Sequence, residues 1–379
     1  MKKVLIASTA LVAATMFSGA ASASEKIKLE LGGYSKWWVV GQWQENKFQN
    51  ATQSDYNNVD VKGDNEVFFG GSTTLDNGMK VGINVELEAG GHTDQTSDPI
   101  DKSSVYLESG FGKVILGSEA NGTALLHVYA PDAAGNNDSD GILTGGFAIV
   151  RPQNSAITRF TTSIDTDDNS EKITYVAPSF YGLTLGASYV PNVGREDTRN
   201  TVRLNDNATV AGEAYGVGGL YAKTFGAVDL KVSGGWVTYD VNAHGLGLAD
   251  GRSKVNEYST GTQISYAGFT VGGSLRQVNS NANLNGQTGA AQGHGWDAGI
   301  QYASGPYAIS FIYLEQTAAS AAASGDDKFT AYQVSGKYSL GAGVDALASV
   351  GHAEFESATG LAQNENKGWA VMTGLSLAF

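Results

Sequence analysis

Apolar and polar positions alternate along most of this 379-residue chain with the period of a β-strand. Between positions 79 and 88 the odd residues are Met79, Val81, Ile83, Val85 and Leu87, and the even ones are Lys80, Gly82, Asn84, Glu86 and Glu88. A strand sends successive side chains to opposite faces, so one face here is wholly apolar and the other polar or tiny. Phe269, Val271, Gly273 and Leu275 alternate in the same way with Thr270, Gly272, Ser274 and Arg276. So do Leu183, Leu185, Ala187 and Tyr189 with Thr184, Gly186 and Ser188, and Trp296, Ala298, Ile300 and Tyr302 with Asp297, Gly299 and Gln301. Apolar residues at i and i+2 do not gather on one helical face, which excludes amphipathic helices over these segments. The pattern predicts strands at about 27–44, 65–75, 79–89, 102–109, 112–118, 171–178, 182–190, 211–224, 228–240, 254–266, 269–278, 295–303, 307–317, 327–340, 344–356 and 367–379.

The connections between these segments are of two kinds, and the kinds alternate strictly. Short ones include Asp76-Asn77-Gly78, Gly110-Phe111, Ser179-Phe180-Tyr181, Gly226-Ala227, Ala267-Gly268, Ser304-Gly305-Pro306 and Gly341-Ala342-Gly343, which read as hairpin turns. Long polar stretches fall between them at about 45–64, 90–101, 119–170, 191–210, 241–253, 279–294, 318–326 and 357–366. Sixteen strands with turns at one rim and loops at the other predict an all-β fold, a transmembrane antiparallel barrel. Phe111, Phe180, Tyr181, Phe225, Tyr266, Phe269, Tyr302, Tyr307, Tyr338 and Phe379 all lie at or beside the short-turn ends. A row of rings at one rim reads as an aromatic girdle at the headgroup level; hairpin-closing pairs are the alternative. A soluble sandwich would need large apolar residues on its inward face, whereas the second face here is Gly, Ser, Thr, Asn and charges.

The N-terminus adds an address. Met1-Lys2-Lys3, the apolar run from Val4 to Phe17 and the small residues Ala21-Ser22-Ala23 form a secretory signal peptide, 1–23, too short to span a membrane. Removing it takes the formal net charge from −14 to −16 and leaves the barrel domain 24–379. So acidic a chain with no basic stripe is a poor nucleic-acid binder. It has no cysteine, 50 glycines and only 6 prolines, and the glycines have no fixed period, which excludes disulfide-stapled and collagen-like classes. No window beyond residue 23 is apolar enough for a membrane helix.

Three segments carry a resemblance: Leu29-Glu30-Leu31-Gly32-Gly33-Tyr34, the run from Ala177 to Tyr189, and the closing strand from Trp369 to Phe379. With them the chain resembles the Gram-negative general porins, most closely those common in α-proteobacteria. The resemblance covers the whole mature chain. It implies an outer-membrane homotrimer whose third long loop folds into the lumen and narrows a water-filled pore for small hydrophilic solutes and ions. It also implies that Phe379 is the signal read by the assembly machinery. The loop would be 119–170, with Glu119, Asp132, Asp138, Asp140, Arg151 and Arg159 as constriction candidates. Taking the polar face of each strand as the lumen gives Lys28, Glu30, Lys36, Lys80, Glu86, Glu88, Lys231, Arg276 and Lys337 as wall candidates. The chain departs from the enterobacterial pattern in having no tight triplet of arginines on one wall strand. Arg195, Arg199 and Arg203 cluster instead in an outer loop, where lipopolysaccharide phosphates are one partner and the vestibule another.

Other chemistry is sparse. Asn136-Asn137-Asp138-Ser139-Asp140-Gly141 matches half of a calcium loop, but position twelve would be Phe147. Asp132, Asp138 and Asp140 are therefore a candidate calcium site beside the plainer reading of an Asp/Asn turn. His92, His127, His244, His294 and His352 are isolated, and no cysteine supports zinc or thiol chemistry. No G-x-S-x-G occurs, and Gly216-Val217-Gly218-Gly219 lies inside a strand with no helix after it. Glycines in such strands permit curvature or leave lumen space. No catalytic constellation is found. The expectation is passive diffusion with a mild cation preference from the acidic excess. Two rivals remain: a substrate-selective channel using wall aromatics such as Tyr34 and Trp38, and a non-conducting adhesin or enzyme on the same barrel.

Overall fold

The computed structural model describes residues 26–90, 100–138, 149–167, 170–193, 211–242, 252–280, 292–320 and 322–379. The expected cleavage site after Ala23, His92, Asp140, Arg195, Arg199, Arg203 and His244 lie outside them. The described residues form sixteen strands: β1 (Glu30–Gln44), β2 (Val59–Thr74), β3 (Lys80–Glu88), β4 (Ile100–Ser109), β5 (Gly112–Ser118), β6 (Glu171–Val176), β7 (Leu183–Val190) and β8 (Ala211–Phe225), then β9 (Val228–Asn242), β10 (Arg252–Tyr266), β11 (Phe269–Ser280), β12 (Gly293–Ser304), β13 (Tyr307–Ala319), β14 (Asp326–Gly341), β15 (Val344–Glu356) and β16 (Asn366–Ala378). Each pairs antiparallel with the next, and β1 closes on β16 from Tyr34↔Ala378 to Gln44↔Gly368. Closure leaves no edge, so every ladder group finds a partner without water, as a spanning sheet requires.

Two elements depart from the alternation reading. β2 starts at Val59 rather than 65, because Asp60, Lys62 and Asp64 are one face of a strand whose other face is Val59 and Val61. Within the connection after β1 a short helix α1 (Asn46–Thr52) forms and buries Phe48. The short rim is built as expected. At Tyr181-Gly182 and Ala267-Gly268 both central residues have positive φ, the signature of a two-residue type I′ hairpin. The Phe180 N–H donates to the Leu183 carbonyl at 2.8 Å, and the Leu183 N–H returns a bond at 2.9 Å. Gly182 and Gly268 adopt this left-handed backbone freely; Tyr181 and Ala267 hold it at a cost of about 1–2 kcal/mol each.

The outward face is apolar, with Leu29, Leu31, Val39, Leu185, Val271, Ile300, Ile309, Val350 and Leu375 all exposed. All ten aromatics of the short rim are exposed too. They are girdle and hairpin pair at once: Phe269 packs on Tyr302 at 4.5 Å and Tyr307 on Tyr338 at 4.9 Å between ring centroids. A second row follows the register from Trp43 through Trp369, His352 and Tyr332 to Tyr313, with Trp296 tilted against Tyr313 at 4.8 Å. Two aromatic rows bounding an apolar band are the outer surface of a membrane barrel.

The inward face corrects the expectation of small and polar residues throughout. From β13 to β16 and on β1 it carries an apolar patch of Trp38, Val40, Ile312, Leu314, Phe329, Leu347, Phe355 and Met372. Ile149, Ile157 and Phe160 of the β5–β6 connection pack into it, with Phe160 edge-on to Phe329 at 4.8 Å and to Phe355 at 5.9 Å. β13 shows the cause. Ile309, Phe311 and Tyr313 face out while Ile312 and Leu314 face in, so its sequence is apolar on both faces.

Candidate functional site

The described parts of the β5–β6 connection, 119–138 and 149–167, are held by inward-facing side chains of successive strands. Ser188 of β7 accepts the Gly122 N–H at 2.8 Å, Ser233 of β9 the Val128 N–H at 3.0 Å, and Asp297 of β12 the Ala130 N–H at 3.1 Å. Ser310 of β13 accepts the Ala133 N–H at 2.8 Å. On the return path Asp327 of β14 accepts from Ala156 at 2.7 Å, Gln316 donates to the Thr161 carbonyl at 3.2 Å, and Asn366 donates to the Val150 carbonyl at 2.8 Å. An irregular backbone buried against a wall must have its polar groups satisfied, and the wall hydroxyls, amides and carboxylates do this one strand at a time.

Ionic anchors fix the end of the connection. Asp167 lies 3.3 Å from Lys172 of β6 and accepts from Asn121 at 2.5 Å; burial raises its carboxyl above the usual range, against the pull of Lys172. Arg276 of β11 pairs with Glu257 of β10, which also accepts from Thr166 at 2.6 Å and Tyr239 at 2.8 Å. His127 is half-buried with its Nε2 3.1 Å from the Thr162 hydroxyl, edge-on to Tyr129 at 4.6 Å. Burial first, and the Arg276 guanidinium second, push its imidazole down to about 3.

On the arc from β1 to β5 the wall side chains instead bond to one another. The Tyr34 hydroxyl lies 2.8 Å from a carboxylate oxygen of Asp64 and of Glu66, which share its single proton. Lys102 lies 2.7 Å from Glu86 and 3.2 Å from Asp101, and carboxylate oxygens of Glu66, Glu86 and Asp101 come within 4.8 Å of one another. Lys102 is their counter-ion. Nearer the short rim the Lys113 ammonium sits 4.2 Å from the Tyr106 ring centroid and Lys80 5.9 Å from it. Lys36 crosses to the connection and donates to the Gly135 carbonyl at 3.0 Å.

The residues expected from the sequence are thus dispersed. Among the wall candidates, Lys28 and Glu30 are exposed at the short-rim end of β1. Lys36, Lys80 and Glu86 belong to the bonded arc, and Glu88 stands across the ladder from Glu66. Lys231 is half-buried on β9, and Lys337 lies 3.8 Å from Asp345. Arg276 faces inward beneath the connection. Of the loop candidates, Glu119 accepts the Ala120 N–H at 2.8 Å, and burial raises its carboxyl. Arg159 pairs with Asp165 at 3.1 Å, Arg151 is exposed, and Asp138 is half-buried. Asp132 accepts from the Asn136 N–H at 2.6 Å and the Ser310 hydroxyl at 2.8 Å. At the barrel seam Phe379 exchanges two backbone bonds with Gly33, at 3.0 and 3.1 Å. Sequence reasoning missed Lys102, Glu66, Asp101, Glu257 and Lys172; only strand pairing brings their partners together.

A closed sixteen-strand barrel with an apolar belt outside and charged and hydroxyl side chains inside defines a membrane channel of the outer-membrane type. The chain belongs to the Gram-negative porin family, whose sequence model matches residues 7–358, and it is an outer-membrane porin. Among solved structures it is similar to the anion-selective porin from Comamonas acidovorans, with a TM-score of 0.64 and 17% identity over 93% of this chain and 100% of that one. A porin refined at 1.8 Å resolution gives a TM-score of 0.57 and 15% identity over 93% and 100%. The in-vitro-folded trimer form of OmpT from Vibrio cholerae gives 0.57 and 10% over 94% and 100%. No curated protein sequence matches the chain.

Proposed function

We propose that small hydrophilic solutes and ions diffuse along the arc from the short-rim half of β1 to β5, between that wall and the described parts of the connection, 119–138 and 149–167, with a mild preference for cations. One observation carries the reading: the connection is bonded to the inner wall from β6 round to β16 and to the long-loop half of β1, while the facing arc keeps Asp64, Glu66, Glu86 and Asp101 grouped near Lys102. Carboxylates along a water-filled path raise the local concentration of cations. The test is planar-bilayer recording in a salt gradient. Ohmic steps with a reversal potential on the cation side support the reading, and an anion-side potential, as the name of the Comamonas protein would lead one to expect, overturns the charge assignment. Silence favours the non-conducting adhesin.

The substrate-selective rival loses one of its aromatics, because Trp38 is only 3% exposed within the apolar patch. Steps in groups of three would support the homotrimer, as does the trimer form of the Vibrio protein. The outer face would meet lipid and, at its upper aromatic row, lipopolysaccharide. For Asp132 the bonds to Asn136 and Ser310 favour the turn reading over a calcium site; stability indifferent to chelator would agree. Phe379 would serve assembly as the exposed end of the closing strand.

A further inference from the structure

Each of six consecutive strands sets an inward-facing glycine beneath the connection: Gly186 on β7, Gly218 on β8, Gly235 on β9, Gly261 on β10, Gly272 on β11 and Gly299 on β12. The register joins them into a row, with Gly186 opposite Gly218, Gly218 opposite Gly235 and Gly272 opposite Gly299. Each is filled by the first leg of the connection. A β-carbon on Gly186 would stand 2.8 Å from the Gly122 oxygen, one on Gly218 2.8 Å from the Thr123 Cα, and one on Gly235 2.8 Å from the Thr123 Cβ. On Gly261 it would overlap the Val128 carbonyl, and on Gly272 and Gly299 it would meet Pro131 at 3.2 and 3.1 Å. At Gly186, Gly218, Gly235 and Gly261 these approaches are closer than a side chain tolerates, so there the connection lies as deep in the wall as close packing allows; at Gly272 and Gly299 it is merely tight, and the nearest atoms are those of the neighbouring strands. Gly70, inward on β2, has nothing within 4 Å of its would-be β-carbon.

We infer that this row is the shelf that sets the bore: the depth at which 122–131 is seated fixes how much lumen is left along the facing arc. The residues that determine the exclusion limit are then glycines on the wall opposite the charges. This rests on the reading that solutes pass between the connection and the arc from the short-rim half of β1 to β5, and the two can fail separately.

The experiment is single-channel conductance of the full-length, folded porin. Gly218→Ala with Gly261→Ala moves the connection toward the open arc, and conductance falls roughly twofold as the cross-section shrinks. Gly70→Ala, the same chemical change on the open arc, leaves it within about a tenth. Because the double variant places two β-carbons against packed backbone, a second pair guards against a folding failure. Thr123→Gly leaves the wall intact and raises conductance; combined with Gly235→Ala it restores the wild-type value, since the β-carbon the second change adds takes up the space that the first one vacates. Unchanged or raised conductance in the folded Gly218/Gly261 variant, or no movement with Thr123→Gly, overturns the inference. Lys36→Cys, in a chain with no other cysteine, carries a bulky thiol reagent into the gap beside Gly135. If that label leaves conductance unchanged, the path itself is wrong; if it blocks and the glycine variants do nothing, only the shelf is.

Discussion

The two arcs of the inner wall are made from the same strand alternation and do opposite things. From the short-rim half of β1 to β5 many inward residues are charged and bond mostly to their neighbours on the wall, Lys102 with Glu86 and Asp101, Tyr34 with Asp64 and Glu66. From β7 to β16 they are glycine, hydroxyls, apolar side chains and a few buried charges (Glu257, Arg276, Asp297 and Asp327), and their partners are mostly groups of the β5–β6 connection. Lipid outside demands the same apolar face all the way round, so the outside cannot tell the arcs apart. The difference lies wholly in what the second face is asked to meet: water and ions on one side, protein on the other.

If that division is right, removing one member of a buried pair on the covered arc has the largest effect. Glu257→Ala strands Arg276 beneath the connection, with Thr166 and Tyr239 losing their acceptor. An unpaired buried charge costs about 3–5 kcal/mol. The midpoint for heat-induced loss of the compact barrel on denaturing gels should fall, and protease should reach 159–167. Glu257→Met combined with Arg276→Met should recover most of the loss. A Glu257→Ala barrel with wild-type midpoint and protection would show that the covered arc is not held by this pair. Phe160→Ala comes next, since it empties the space between Phe329 and Phe355 and costs about 3 kcal/mol. Its effect should be confined to the connection: faster cleavage within 149–167, with the sign of the reversal potential unchanged because no charge on the open arc moves.

How much of this was legible follows the same division. The outer face was, because every second residue must suit lipid whatever lies beyond it; strand existence, the short hairpins and the rim aromatics come from that local rule. The inner face was only half legible. Gly70-Gly71 follows Phe69 and Gly218-Gly219 follows Val217, two near-identical strand contexts, yet Gly70 borders open space and Gly218 touches Thr123. No local pattern separates them, because the difference is made by a segment about a hundred residues away. Arg276 was readable as inward from its alternation with Leu275, but its partner Glu257 is supplied by the register of the neighbouring strand. The apolar patch had a local signal after all. A strand apolar on both faces, as β13 is, must bury its second face against protein.

The covered arc should also respond to acid, through His127. Its imidazole is held down to about 3, below the ordinary value near 6.5, so between those values the released connection binds a proton that the seated one does not. Seating is therefore full above pH 6.5 and weakens as pH falls, by about 1.4 kcal/mol at pH 5.5 for this group alone. Burial raises the carboxyls of Asp167 and Glu119, and these act in the opposite sense, favouring the seated state as they gain protons. Proteolysis of 149–167 against pH, compared between the wild type and His127→Gln, separates the contributions: the variant should lose the part of the acid sensitivity that begins below pH 6.5. Identical profiles would remove His127 from the account.

The smallest expected effect lies on the outer face, where the arcs should not differ. Lys328 and Glu315 pair at 3.1 Å just above the upper aromatic row, both partly exposed, with Tyr313 donating to the same carboxylate at 2.9 Å. A surface pair of this kind contributes less than about 1 kcal/mol and is screened by salt. Lys328→Gln should therefore leave conductance, reversal potential and protease sensitivity of the connection where they were, and shift the heat midpoint by little or nothing. The expectation has force because Lys328 and Phe329 are adjacent in sequence on one strand. One points to the outer rim and the other into the apolar patch, so Phe329→Ala should loosen the connection where its neighbour does nothing. Function in this barrel then depends on which face of a strand a residue occupies before it depends on which strand.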